Sequence, residues 1–171
     1  AWQAKQQERQ LHYDYPYVGA FLRVLETRGY RNLDKHSDHY VADQLGVPLT
    51  QIEALVRRLH DAKLVETVGA KVVCKSPHID LRGDFRCFQA SRNYWLDRAK
   101  THIAQLSSAP QDDLYGYLVF SLSAKARAEI TNEYIKFFHN IRQIAESDSL
   151  EPDQVTLLNV QLFDPSHLTP D

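Results

Sequence analysis

The residues best suited to metal chemistry are histidines and cysteines, because imidazole nitrogens and thiolates are the preferred ligands of zinc. The candidates are His36, His39, His60, Cys74, His78 and Cys87. Neither the spacing of the histidines nor the Cys74-x-x-x-His78 pair with Cys87 matches a common structural zinc pattern. We therefore predict no metal site and no cofactor, and we interpret the histidines as surface residues or hydrogen-bonded core residues.

Nucleophilic catalysis needs a nucleophile, a base and a group that orients the base, and phosphate chemistry needs a glycine-rich loop before a helix. Neither pattern is found in the sequence. We predict that the chain is not an enzyme.

Basic side chains at helical spacing provide a different chemistry, the binding of phosphate or of an acidic partner. Such residues occur on the outer face of a predicted helix and in the predicted hairpin that follows it. The predicted DNA- or partner-binding residues are Gln51, Ala54, Arg57, Arg58, Lys71 and Lys75.

The charge around these residues is balanced. Five basic residues between positions 37 and 75 are matched by five acidic ones, which are Asp38, Asp43, Glu53, Asp61 and Glu66. The whole chain carries a formal net charge of -2 and has a pI near 6.5, so no global field draws it to nucleic acid or to an anionic membrane. We expect weak DNA binding at most by this chain alone, with a protein partner as the alternative.

The elements that position these residues lie between Asp38 and Lys75. A short helical pattern ends in the turn Gly46-Val47-Pro48, and Thr50 with Glu53 predicts a capping box at the start of a second helix. In this second helix, apolar residues recur at three- and four-residue spacings: Ile52, Leu55, Val56 and Leu59. Two alternating runs around Gly69 predict a hairpin. Two helices at a sharp turn followed by a hairpin indicate a winged helix-turn-helix.

The remaining segments complete the first half. Residues 1–12 are predicted to form a linker helix that tyrosines around Pro16 clamp to a winged-helix domain of residues 13–78. The first helix of that domain should run from Val18 to about Arg28, with Gly29 ending it. A connector near residues 75–84 should separate this domain from residues 85–171.

The second half reads as a small α-β-α-β domain for dimerisation or regulation, which makes the predicted class α+β. It comprises a helix from Phe88 to Leu106, a strand over 114–122, a helix capped by Ser123 and a strand over 155–163. The long helix should bury one stripe: Ile130, Tyr134, Phe137, Phe138, Ile141 and Ala145.

The strand over 155–163 is apolar on both faces, so one layer of helix leaves one face uncovered. We predict that a second copy covers it and that the chain is a homodimer. The alternative is that an N-terminal domain of a longer protein covers this strand. The predicted interface residues are Leu157, Asn159, Gln161 and Phe163.

Two cysteines in 171 residues do not make a disulfide framework, and no segment is apolar enough for a membrane span or a signal peptide. A reducing cytoplasm is the expected location. The chain has no methionine and begins within a helical pattern. We therefore expect it to be part of a longer protein.

Several stretches also resemble a bacterial family of unknown function, the domain of unknown function 4423. They are Asn93-Tyr94-Trp95-Leu96, Phe120-Ser121-Leu122-Ser123, Ile135-Lys136-Phe137-Phe138 and Leu158-Asn159-Val160-Gln161-Leu162-Phe163. The resemblance spans nearly the whole chain. It implies the C-terminal part of a transcription regulator whose N-terminal part is a Cro/C1-type helix-turn-helix. A scaffold for protein interactions that does not bind DNA is the alternative function.

Overall fold

The computed structural model describes residues 2–75, 84–107 and 113–165, with only the backbone given for residues 2–5. Within these ranges the chain is mainly helical and has one small antiparallel sheet, so its class is α+β as predicted. The elements are α1 (Trp2–Asp14), α2 (Val18–Val24), α3 (Arg28–Arg31), α4 (Asp38–Leu45), α5 (Leu49–Asp61), β1 (Val65–Val68), β2 (Lys71–Cys74), α6 (Phe85–Gln105) and α7 (Ala124–Ser147).

The chain divides into two compact units. The first contains residues 1–105 together with 152–171, and the second contains residues 106–151. Most of the connector that the sequence predicts near residues 75–84 lies outside the described residues.

The core of the first unit is built from the apolar stripes of α2, α4 and α5. Phe21, Val41, Ile52, Leu55 and Leu59 have no solvent-exposed surface. Complete burial of a side chain of this size stabilises a fold by about 1.5–3 kcal/mol. The stripe predicted for the second helix is therefore confirmed.

The predicted start of α5 is wrong. The helix begins at Leu49, Pro48 occupies the capping position, and no side chain caps the first turn. Thr50 is thus already inside the helix and cannot act as its cap. A proline one position before the first helical residue costs nothing there, because the N–H groups at a helix start have no partner within the helix.

The predicted helix from Val18 to Arg28 is shorter than expected. α2 ends at Val24, and Gly29 lies inside the separate α3 instead of ending the first helix. The hydroxyl of Thr27 accepts a bond from the Tyr30 amide and so caps α3. This local hydrogen bond starts a new helix where the apolar pattern alone indicates a continuous one.

The hairpin forms as predicted. β1 and β2 pair antiparallel with Val65 opposite Cys74 and Val68 opposite Lys71. Gly69 has a φ of 61° and occupies the turn. A glycine adopts this left-handed conformation without the steric penalty that a β-carbon imposes.

The strands predicted over 114–122 and 155–163 do not form in the single chain. Neither range has regular secondary structure, and the β1–β2 hairpin is the one sheet in the described residues. A strand needs a neighbour for its backbone N–H and C=O groups, and amino-acid alternation alone does not provide one.

Both long helices are present, but their predicted apolar stripes are not buried. Ser123 caps α7 as predicted, by accepting a bond from the Ala126 amide at 3.2 Å. α7 has no buried residue, and Phe137 is 42% exposed. In α6 the buried residue is Cys87, whereas Phe88 on the predicted stripe is 46% exposed.

Candidate interaction surface

The outer face of α5 carries the first group of predicted binding residues. Gln51, Arg57 and Arg58 are exposed and Ala54 is partly exposed. They lie opposite the buried stripe because residues three, four and seven apart share one side of a helix. The structure therefore brings these four residues together, as the sequence predicts, and adds the exposed carboxylates of Glu53 and Asp61 beside them.

Three of the four predicted basic residues are engaged inside the chain. Arg58 forms an ion pair with Asp14 at the end of α1, with 3.3 Å between Nη2 and Oδ2. Lys75 pairs with Glu66 across the hairpin at 2.8 Å. Lys71 donates a hydrogen bond from Nζ to the backbone carbonyl of Arg31. Exposed pairs of this kind add at most about 1 kcal/mol to stability, but they cancel charge that would attract phosphate.

Arg57 differs from the other three. It is exposed and makes no side-chain hydrogen bond or ion pair with any residue in the described part of the chain. It is the predicted basic residue best placed to contact an external group. Glu53 and Asp61, one helical turn away on either side, reduce the positive potential around it.

The start of α5 is approached by residues from other elements. The Tyr17 hydroxyl donates to Gln51 Oε1 at 3.4 Å, and Arg98 of α6 donates to the carbonyl of Leu45 at 3.5 Å, just before the turn. Gly46 in that turn has a φ of 60°, and a β-carbon there would lie 2.4 Å from the Arg98 guanidinium. A helix that reads DNA must place its N-terminal end in the major groove. In this chain, that end already contacts Tyr17 and lies next to Arg98.

Aromatic rings continue this contact from the start of α2 to α6. Tyr17 packs against Tyr94 with 5.4 Å between ring centroids, and Tyr94 meets Trp95 edge to face at 5.0 Å. Tyr17 is 3% exposed, and burial raises the pKa of its hydroxyl. The sequence prediction that tyrosines around Pro16 pack onto the domain agrees with the burial of Tyr17, whereas Tyr13 is 42% exposed.

A hydrogen-bond chain that the sequence does not reveal holds the hairpin in place. The Val72 amide donates to the Tyr30 hydroxyl at 3.1 Å, and that hydroxyl donates back to the Val72 carbonyl at 3.1 Å. His36 Nδ1 lies 2.8 Å from the same hydroxyl, and His36 Nε2 lies 2.9 Å from Asp38. Burial raises the pKa of Tyr30. These hydrogen bonds fix the hairpin to α3 and to the start of α4.

The predicted dimer residues lie in the segment that returns to the first unit. Leu157 and Phe163 are 49% and 58% exposed, and Gln161 donates to Asn159 at 2.9 Å. These four residues lie in one segment, but that segment does not form the predicted strand.

The start of this segment is held by the first unit. The Arg28 amide donates to the Pro152 carbonyl at 2.7 Å, Asp153 pairs with the Arg28 guanidinium, and Val155 packs against the core. The predicted interface therefore begins right after a docked stretch of chain.

Among the described residues, no group of three or more histidine, cysteine or acidic side chains is placed to hold a metal ion, and His78 lies outside them. His12, which the sequence does not single out, is 7% exposed, and its Nε2 has no described hydrogen-bond partner. Burial lowers the pKa of His12 from 6.5 to about 4. This ring is thus a neutral core residue at physiological pH.

Comparison with known proteins identifies the family of this chain but gives no information about its activity. None of the helices in the described ranges has the length and apolar character needed to cross a membrane. Neither the curated proteins nor the solved structures give a significant match. Residues 3–164 match the family described as Domain of unknown function (DUF4423). Because the match covers nearly the whole chain, the protein belongs to this family.

Proposed function

We propose that the chain is the regulatory and oligomerisation part of a bacterial transcription regulator. In this proposal α4, α5 and the hairpin form a winged helix-turn-helix that docks a protein partner and contacts DNA only weakly. The order of elements supports the proposal, since two helices joined by a left-handed glycine are followed directly by a hairpin. The resemblance stated above, with its implied Cro/C1-type helix-turn-helix, supports the regulatory role. In this proposal the protein acts in the bacterial cytoplasm.

A protein partner is preferred over DNA because Arg58, Lys71 and Lys75 already bind other groups inside the chain. Contacts with phosphate dominate the affinity of proteins for DNA, and each lost contact weakens binding at every sequence. Among the predicted binding residues, Arg57 is the one basic side chain without a described partner, so these residues provide little of this attraction. DNA reading would then be the work of another domain.

The tip of the hairpin favours a protein partner. Thr67, Val68, Gly69 and Ala70 are uncharged and exposed, and Val68 is 58% exposed. A wing that lies along the DNA backbone needs donors or positive charge at its tip, whereas an apolar tip suits a protein surface. The same feature supports the alternative function, a scaffold that does not bind DNA.

Self-association belongs to the same proposal, and Leu157, Asn159, Gln161 and Phe163, which the sequence predicts, are one candidate interface for it. A regulator that reads a two-fold symmetric site needs two copies related by a two-fold axis.

Genome-wide occupancy mapping of the natural protein tests the regulatory role. We expect enrichment at discrete promoter sites for the natural protein. We expect the same sites for Arg57→Ala, because in this proposal the winged helix-turn-helix does not read the DNA sequence. Uniform background occupancy would contradict the regulatory role and leave the scaffold function. Loss of sites in Arg57→Ala, with normal protein abundance, would show that the winged unit reads DNA directly.

A further inference from the structure

The segment over 114–122 exposes an unusual amount of apolar surface. Leu114, Tyr117, Leu118 and Val119 are 95%, 90%, 83% and 88% exposed. No charged residue occurs between Leu114 and Ser123. Contiguous apolar surface of this kind in a folded protein marks an interaction site.

The helix that follows exposes much of its apolar side. α7 is 24 residues long and buries none of them. Phe137, Ile141 and Ile144 are 42%, 38% and 66% exposed. Most of the stability of a protein helix comes from packing an apolar face. The second unit therefore has the parts of an α/β layer, a strand sequence and an amphipathic helix, but none of its described side chains is fully buried.

The exposed area matches what a stable dimer needs. Twelve large apolar side chains between residues 113 and 151 are exposed. Large side chains bury about 150–250 Å² when fully covered, so these twelve offer on the order of 1,000 Å². A standard interface requires about 800 Å² from each partner. The surface is thus large enough for association without help from the first unit.

The charges of the second unit point to a second copy of this chain. Residues 113–151 contain four basic and six acidic side chains, and the helix pairs Lys125 with Glu129 and Lys136 with Glu133. The net charge of these residues, four positive minus six negative, is only -2, which is too small to select a strongly basic partner, and the uncharged strand sequence does not repel its own copy. An apolar strand edge without charge is the kind that pairs with another chain.

We infer that residues 114–122 of two copies pair as antiparallel strands across a two-fold axis, with the α7 helices packed on the resulting sheet. A two-fold axis perpendicular to a strand reverses its direction, so the paired strands are antiparallel and the same patch serves both copies. Pairing would turn 114–122, which has no regular secondary structure in the described chain, into a strand of a sheet, as the sequence predicts. The inference rests on the proposed function only for the oligomerising role of this half.

The segment at 155–163 is the rival location. Its four exposed large apolar side chains are 39–58% exposed, less than those of Leu114, Tyr117, Leu118 and Val119, and Val155 and Leu162 are partly buried. Its start is also tied to α3 through Pro152 and Asp153. Contact with a second copy would therefore bury more exposed apolar surface at 114–122 than at 155–163.

Sedimentation equilibrium of the intact chain, with matched variants, tests the inference. Leu118→Lys places a charge at an exposed position and should leave the monomer folded but raise the dimer dissociation constant at least 100-fold. Asn132→Lys, an exposed position of α7 outside the apolar stripe, should leave it unchanged. Circular dichroism confirms that both variants keep their helices.

Hydrogen exchange provides an independent readout, because amides of 117–121 should be protected in the dimer and exchange rapidly in Leu118→Lys. A monomer at 100 µM would overturn the inference. So would a dimer that Leu118→Lys leaves intact and Leu157→Glu breaks, which would place the interface at 155–163. DNA affinity is measured separately, so tight DNA binding by a Leu118-dependent dimer would contradict the proposed function alone.

Discussion

The hydroxyl of Tyr30 lies 3.1 Å from both the backbone nitrogen and the carbonyl oxygen of Val72, so one side chain in α3 satisfies both polar groups of a buried residue in β2. Buried backbone groups need such partners. The hairpin is therefore positioned by a side chain 42 residues earlier in the sequence. Its place beside α5 depends on this contact.

Tyr30→Phe should destabilise the protein by about 1–3 kcal/mol, because it leaves the buried Val72 amide and carbonyl without this partner. Urea unfolding followed by circular dichroism measures the change. Tyr13→Phe is the matched control, since Tyr13 is 42% exposed, and it should change stability by less than about 0.5 kcal/mol. Equal unfolding midpoints for the two variants would contradict the anchoring role of Tyr30.

The helix starts allow a paired test of capping. The Ser37 hydroxyl accepts a bond from the Tyr40 amide at 3.1 Å, whereas Thr50 lies inside α5 and caps nothing. Ser37→Ala should cost about 1 kcal/mol of unfolding free energy, and Thr50→Ala should cost much less. Thermal unfolding of both variants measures this. The reverse order would support the capping box that the sequence predicts at Thr50.

Stability should fall as the pH is lowered through the range in which His12 would titrate in the unfolded chain. The pKa of His12 is about 4 in the folded protein and 6.5 when unperturbed. Below pH 6.5 the unfolded chain binds a proton that the folded chain excludes, so unfolding becomes more favourable until about pH 4. The full effect is about 3 kcal/mol.

Urea unfolding between pH 7 and pH 4 measures this loss. His12→Leu should remove most of it, whereas the control His39→Gln, at an exposed position, should leave it in place. The prediction fails if His12→Leu and the unmodified chain show the same pH dependence.

Phe137→Ala should have different effects in the monomer and in the proposed dimer. The ring is 42% exposed in the single chain, and its aromatic contact is with Phe138 at 5.7 Å. We expect a loss below about 1 kcal/mol at concentrations where the protein is monomeric. At dimer-forming concentrations the melting temperature should drop clearly. A large loss that is independent of concentration would show that Phe137 is buried within one chain, as the sequence pattern indicates.

Most local elements of the first unit could be predicted from the sequence because their signals are local, but the start of α5 and the break between α2 and α3 could not. The stripe of Ile52, Leu55 and Leu59 and the left-handed Gly46 lie within a few residues of the structure that they specify. The ion pair of Arg58 with Asp14 joins residues 44 positions apart, and no periodicity indicates it. The basic residues of the candidate surface were therefore identified, but their neutralisation was not.

The second half shows what the sequence pattern does not predict. Residues 114–122 have the alternation of a strand, yet a strand is defined by its neighbour, and the described part of this chain provides none. The pattern of Phe137 and Ile141 likewise predicts an apolar helix face without saying which chain covers it. Sequence periodicity identifies a surface that needs covering and leaves the source of the cover undetermined.

Salt-dependent titration of a fluorescent DNA duplex with the intact chain tests the central claim most directly. We predict a dissociation constant of roughly 10 µM or weaker at physiological salt and no sequence preference, as expected for non-specific binding. Asp14→Asn frees Arg58 and should steepen the salt dependence by about one unit of slope, and Arg57→Ala should flatten it. Nanomolar, sequence-specific DNA binding by the unmodified chain would contradict the claim that the winged helix-turn-helix docks a protein.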